Sequence, residues 1–271
     1  MGGDGAFPLP GMGLTAIIDW LAVYFFSMLR IGAFLMSSPA FGGRFVPGQV
    51  RLMAIAILAL PVMAGGVDLP EPAELSGLQA VPLILKELAI GLVAGLVLTI
   101  LFGAAALAGD RIAATAGLGF AAQYDPSAGG QTPVVAQLFG LFLLMVFYSV
   151  DGHLAVIRIV LESYIAVPPG AEIDLPRLVQ AGIMAGGQMF LMGTMMMLPV
   201  IAVLLLLNMA VGVLTRSAPT LNIFSFGFPV TMTVTLILLY LSTPGMAVAM
   251  EDVVREAVSM LEALLLGGGN G

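Results

Sequence analysis

Long apolar runs, separated by short polar or Pro/Gly-rich connections, organise this chain. Six such blocks lie at about Leu14–Ser37, Val50–Gly66, Gln79–Ala108, Val134–Ile165, Leu178–Thr215 and Phe228–Met250. A helix needs about 20 apolar residues to cross the hydrocarbon of a bilayer. The first and last blocks fit that length directly. Val50–Gly66 is short, and suits a position deep in protein as well as one facing lipid. Leu178–Thr215 is too long for one simple crossing: at 1.5 Å per residue it reaches about 57 Å, against about 30 Å of hydrocarbon. Pro199 lies inside it, where a proline removes one backbone donor and kinks a helix. That block is therefore either a bent helix or a tight hairpin. Val134–Ile165 is interrupted at Asp151-Gly152-His153. The pattern predicts six, seven or eight helical segments and an all-α, multi-pass membrane protein.

Composition agrees. Hydrophobic residues make up 60% of the chain and charged residues 9%, where a soluble domain carries about 25% charged residues. A net charge of −7 and only nine basic residues argue against nucleic acid as a partner, because phosphate neutralisation needs Lys and Arg. The absence of Cys removes disulfides, thiol catalysis and Cys-based zinc sites. Met1 to Gly13 carries no Lys or Arg and so lacks the basic start of a cleaved signal peptide. The first apolar run is expected to remain as a membrane segment. No Ser-rich or charge-rich linker divides the chain. A single domain over residues 1–271 is expected, with flexible ends at about 1–12 and 267–271.

Charge placement suggests an orientation. Arg44 and Arg51 flank the first connection, Arg111 follows the third block and Arg216 the fifth, while Asp68, Glu71, Glu74, Glu172 and Asp174 mark the alternate connections. With six spans and the N-terminus outside, the basic connections fall on the cytoplasmic side. Arg177 sits on the wrong side of this scheme.

A few residues stand out against the apolar background. Gly91, Gly95, Thr99 and Gly103 recur every four positions, with Glu87 extending the same row. Small residues let helix backbones approach closely in lipid. The row is read as a helix-packing ridge, meeting either the same chain or another subunit. Gly182 and Gly186 repeat the signal more weakly. Arg30, Lys86 and Glu87 lie within apolar runs, where an isolated charge costs about 2.5–3.5 kcal/mol on insertion scales. Glu87 is a candidate partner for Arg30, unless Arg30 sits near a helix end and snorkels to the interface. His153, the only His, stands beside Asp151 but has no second His or Cys with which to build a metal site. A structural role at a helix break is expected for it. Met is abundant, with Met195-Met196-Met197 consecutive and Met184, Met189 and Met192 just before. Thioethers fill irregular gaps, and a seal around a moving polypeptide is the sharper alternative. No catalytic, cofactor-binding or metal-binding set emerges, and no phosphate loop or nucleophile elbow is present.

The stretch from Thr115 to Pro126 is small, apolar and Gly-interrupted, and ends in the turn signal Asp125-Pro126-Ser127. Irregular backbone at membrane depth is tolerated only when buried in protein or lining a cavity. Gly117 and Gly119, on either side of Leu118, are expected to lend mobility, and Phe120 and Tyr124 bulk. With Asp125 they form a candidate stopper; an ordinary surface loop is the alternative.

Taken together, several motifs give the chain a family resemblance. Arg30-Ile31, Pro39-Ala40-Phe41-Gly42, Pro47 and Val50-Arg51-Leu52 stand near the start. Gly117–Phe120, Tyr124-Asp125-Pro126 and Gln131-Thr132-Pro133 stand in the middle. Gly152-His153-Leu154, the run Pro219-Thr220-Leu221-Asn222-Ile223-Phe224, and Gly227-Phe228-Pro229-Val230-Thr231 follow. Their order and spacing resemble the FliR family, a membrane component of the flagellar type III protein-export gate. Thr220 departs from the Gln common in that family. Related injectisome export proteins tend to carry a Pro-Ile-Lys-Ser-like sequence after the Asn-Ile-Phe element. The sequence here has no Lys there, which favours the flagellar branch. The resemblance implies tilted, broken helical hairpins and no enzymatic activity or cofactor. It also implies assembly with FliP- and FliQ-type subunits, beside FlhB- and FlhA-type proteins, in the bacterial inner membrane at the flagellar basal body. Exported flagellar subunits would be the cargo, and Gly117–Asp125 the plug. A small-solute transporter is the competing class, disfavoured by the scarcity of intramembrane polar residues.

Overall fold

The computed structural model describes residues 13–43, 46–75, 77–118, 134–171, 174–217 and 227–267. Among these the secondary structure is helical throughout. The helices are α1 (Leu14–Ser37), α2 (Pro39–Gly42), α3 (Gly48–Ala64), α4 (Ala80–Thr115), α5 (Val134–Ser149), α6 (Gly152–Ala166), α7 (Leu175–Ser217) and α8 (Phe228–Leu265).

The apolar blocks map onto these helices, and three of them bear on the expectations. Of the two alternatives for Leu178–Thr215, the hairpin fails and the single helix holds: α7 runs through Pro199 as one 43-residue helix. The last block continues past Met250 to Leu265, through Pro244. The hydropathy signal fades there because α8 turns amphipathic: Glu251, Asp252 and Arg255 pair on the exposed side while Val253, Val254, Ala257 and Leu261 are buried. Finally, α3 has 17 residues, about 25 Å at the helical rise, which is short of the hydrocarbon thickness. By length and composition, four of the described helices are apolar enough to cross a membrane, or five if the α5–α6 pair counts as one broken span. The expected alternation of basic and acidic sides therefore hangs on α3, and Arg44 lies outside the described residues.

No linker interrupts the sequence, yet the chain groups into two compact units whose segments interleave. One comprises residues 1–100, 152–185 and 257–271. In it α1 packs on α3 and α6, and Phe26, Ile31, Phe34, Ile55, Ala59, Val156 and Ile159 are buried. The Tyr24 hydroxyl donates to the Ala56 carbonyl at 2.8 Å, tying α1 to α3. The first half of the small-residue row also works here. A Cβ on Gly91 would collide with the Arg30 carbonyl and Ala33, and one on Gly95 with Ser37 and the Phe34 carbonyl. Thr99 Oγ1 donates to the Ser37 carbonyl at 2.6 Å.

The other unit comprises residues 101–151 and 186–256. Leu101, Ala104, Ala105 and Ala108 are buried on one side of α4. Gly109 meets the backbone of Val135 and Ala136 on α5, Gly193 of α7 meets the Ala104 carbonyl and Leu107, and Gly103 lies against the Met189 sulfur. Phe102 and Phe147 pack edge to face at 5.3 Å, a favoured aromatic geometry. The row from Gly91 to Gly103 is thus occupied by this chain's own helices.

Gly182, Gly186 and Gly187 have open space where a Cβ would stand. This contrast sets a test. Gly91→Ala should destabilise by about 1–3 kcal/mol, the usual cost of overpacking. Gly187→Ala should be neutral or stabilising by up to about 1 kcal/mol through helix propensity. Thermal unfolding in detergent of the two variants checks the opposite signs.

Candidate functional site

Two constellations follow from the same rule: in apolar surroundings a charge or a backbone carbonyl must find its partner within the protein. The first lies in the unit that contains α1. Glu87 is one helical turn before Gly91 on the same face of α4, and Gly91 is where α4 meets the Arg30 carbonyl of α1. The close approach brings carboxylate and guanidinium together. Arg30 Nε donates to Glu87 Oε2 at 2.8 Å and Nη2 to Oε1 at 2.9 Å, a bidentate pair with side chains 0% and 1% exposed. Arg30 Nη1 donates to the Ser163 carbonyl at 2.8 Å and to Ser163 Oγ at 3.0 Å, and Nη2 donates to the Val167 carbonyl at 2.9 Å. A guanidinium has five N–H donors, and these five bonds use them all.

Both carbonyls lie at the C-terminal end of α6, where the negative pole of the helix favours a cation; the Ser163 carbonyl also accepts from Val167 N at 2.8 Å. The Tyr164 ring lies 4.3 Å from the guanidinium carbon, adding a cation–π contact. Its hydroxyl donates to the Ser27 carbonyl at 2.7 Å. Arg30 thus joins α1, α4 and the end of α6, and the snorkelling alternative does not apply. Lys86, half-buried next to Glu87, donates to the Ala171 carbonyl at 3.3 Å.

The second constellation lies in the other unit, at the C-terminus of α4. The final carbonyls of a helix have no intrahelical partner. Here each is accounted for. Ile112 O accepts from Ala116 N, Ala113 O from Leu118 N, and Ala114 O from Gly117 N. Gly117 takes a φ of 80°. This is the Schellman arrangement, which needs a left-handed residue just past the helix and favours glycine there. Thr115 O accepts from Asn208 Nδ2 of α7 at 3.1 Å. Gly117, expected to lend mobility, is instead the residue that ends α4. Beside it is a cavity of about 320 Å³, lined by Thr115, Gly117, Asn208, Gly212, Gly227 and Phe228 among others.

Of the remaining candidates, Gly227 and Pro229 stand at the start of α8, where a proline's missing N–H costs nothing. Gly152 and His153 open α6. The break before them is made by Asp151, at a φ of 56°, a conformation that Asp tolerates better than most residues. Among the described residues no group of three or more His, Cys, Asp or Glu comes together to hold a metal ion. Gly119, Phe120, Tyr124, Asp125, Pro219, Asn222 and Phe224 lie outside the described residues. Ser163, Tyr164 and Asn208 were not picked out from the sequence. Only Asn208 had a readable signal, as a lone amide in the run Leu204–Met209.

Removing one member of a buried pair leaves the other uncompensated. Arg30→Met should cost about 3–5 kcal/mol. Arg30→Met combined with Glu87→Met should recover much of that loss. Unfolding midpoints of the two single variants and the double variant check the coupling.

The model of the bacterial export proteins, family 1, matches residues 21–257. The flagellar biosynthetic protein FliR of Escherichia coli (strain K12) is 32% identical over 251 residues, covering 92% of this chain and 94% of that protein. Its counterpart in Pectobacterium carotovorum subsp. carotovorum is 31% identical over 249 residues, covering 92% and 95%. The counterpart in Bacillus subtilis (strain 168) is 28% identical over 258 residues, covering 93% and 98%.

Proposed function

The chain belongs to the bacterial export proteins, family 1, and we propose on that premise that it is a FliR-type component of the flagellar type III protein-export gate. It forms part of the conduit through which unfolded flagellar subunits pass during flagellum assembly. The observation that carries this reading is the family match over residues 21–257, supported by relatives aligned over nearly their whole length. The relatives reported above are named for the flagellum, which favours that system over an injectisome. The chain works in the bacterial inner membrane at the flagellar basal body. There it assembles with FliP- and FliQ-type subunits, beside FlhB- and FlhA-type proteins. It is not an enzyme, because a conduit for unfolded chains makes and breaks no covalent bond. The buried charges Arg30 and Glu87 are committed to each other, which speaks against a solute site built on that pair.

The exposed faces support an assembled state. Along α7, Ile183, Phe190, Leu198, Leu206 and Met209 are exposed, and Gly182, Gly186 and Gly187 have nothing packed on them. Such faces need lipid or partner helices. The plug of the conduit is Gly117–Asp125, set off from a fixed stop at Gly117, with the bulk of Phe120 and Tyr124 keeping water out. Hydrophobic constrictions can gate by dewetting.

Expressed alone, the chain should be heterogeneous in detergent, and coexpression with FliP- and FliQ-type subunits should give a single stable complex. A monodisperse monomer obtained without partners would contradict the assembly reading. Deleting residues 119–125 in the coexpressed gate should leave assembly intact and raise permeability to ions and small solutes. A deleted gate as tight as wild type would remove the plug assignment.

A further inference from the structure

We infer that Asn208 is a positioning residue that locks the end of α4 and so fixes where the chain departs at Leu118. The argument starts from the carbonyl count at that end. Three of the last four carbonyls of α4 are taken by backbone N–H groups of Ala116, Gly117 and Leu118. The last regular helical bond, to Ile112 O, and the two bonds of the Schellman turn satisfy them by local geometry alone. The turn cannot reach Thr115 O, which points onward past the final turn. The described structure gives that carbonyl to Asn208 Nδ2 at 3.1 Å, across 93 residues of sequence. The helix end is therefore local in three bonds and tertiary in the fourth.

The surroundings explain why that fourth bond matters. Asn208 stands in the run Leu204-Leu205-Leu206-Leu207-Asn208-Met209-Ala210-Val211. A lone amide in such a helix is costly facing lipid, and polar groups at membrane depth face the protein interior or a cavity. Asn208 is itself exposed, and it stands at the rim of an open pocket of about 320 Å³ that Thr115, Ala116 and Gly117 also line. One residue thus meets two needs. Its amide has a partner in an apolar helix, and the last carbonyl of α4 has a donor. Thr115 Oγ1 bonds back to the Arg111 carbonyl at 2.8 Å, so it does not compete for Asn208.

Without the amide, Thr115 O would be left to whatever water the cavity admits. The cap at Gly117 would then fray more readily, since nothing outside α4 would hold its last turn in place. The consequence for gating rests on the reading of Gly117–Asp125 as the plug, because the plug's stem is the segment that Asn208 holds. The locking itself does not rest on that reading.

The test uses the full-length chain in its coexpressed gate. Asn208→Leu removes the donor at similar bulk, Asn208→Gln keeps an amide, and Asn208→Ser is polar but too short to reach. Amide hydrogen exchange across residues 110–118 should quicken roughly three- to tenfold in Asn208→Leu, the range expected for loss of one hydrogen bond. Exchange in α5 should not change. Asn208→Gln should restore much of the protection, and Asn208→Ser should behave like Asn208→Leu and replace it if the leucine variant does not assemble. Unchanged exchange at 110–118 in the variants lacking the amide overturns the assignment. Permeability separates this from the plug reading. A leak in both the 119–125 deletion and Asn208→Leu supports the positioning role. A leaky deletion beside a tight Asn208→Leu overturns the consequence for gating and leaves the plug, with the lock decided by the exchange rates. A tight deletion overturns the plug, and the exchange rates alone then decide for or against the lock.

Discussion

The buried pair between Arg30 and Glu87 is the constraint on which the unit around α1 depends. An ion pair out of water repays its desolvation only when geometry is close to ideal and every remaining donor is used. That condition reaches well beyond two side chains. It requires α4 to approach α1 closely enough for a bidentate contact, which Gly91 permits. It requires the end of α6 to present two carbonyls, and Ser163 and Tyr164 to stand in place. The observed arrangement of these three helices fills all five donors of the guanidinium. A pair of this kind adds little net stability over a well-packed apolar replacement, while loss of one member is costly.

The same accounting governs the unpaired backbone groups. Helix ends in an apolar setting need named partners, and α4 shows how they are found. Its terminal carbonyls are divided between a local turn closed by Gly117 and one side chain from α7. Glycines serve two separate purposes along α4. At Gly91, Gly95 and Gly109 a missing side chain lets a neighbouring backbone approach. At Gly117 the left-handed conformation ends the helix.

A conduit for unfolded chains has little chemistry to perform, and the polar groups fit that role. Most described side-chain hydrogen bonds run to backbone carbonyls, many of them one turn back in the same helix, while a smaller set ties one helix to another. The apolar faces of α7 that the chain leaves uncovered are large, and a member of a multi-subunit gate has neighbours to cover them.

The sequence by itself determined the all-helical membrane class, because 60% apolar composition in long blocks admits few other ways to satisfy the backbone in lipid. It also marked the ridge on α4, whose period of four places Glu87, Gly91 and Gly95 on one face whatever the surroundings. The motif order carried the family. Only the tertiary structure decided that α7 continues through Pro199, since a proline kinks a helix without stating whether packing will carry it onward. The partners of Arg30 were equally out of reach, because Ser163 and Tyr164 are 133 and 134 positions away and no local pattern links them. Asn208 was visible as an isolated amide, but its target was a backbone carbonyl, and every residue carries one of those. Which carbonyl lacked a partner became defined only once α4 had ended at Thr115 with α7 beside it.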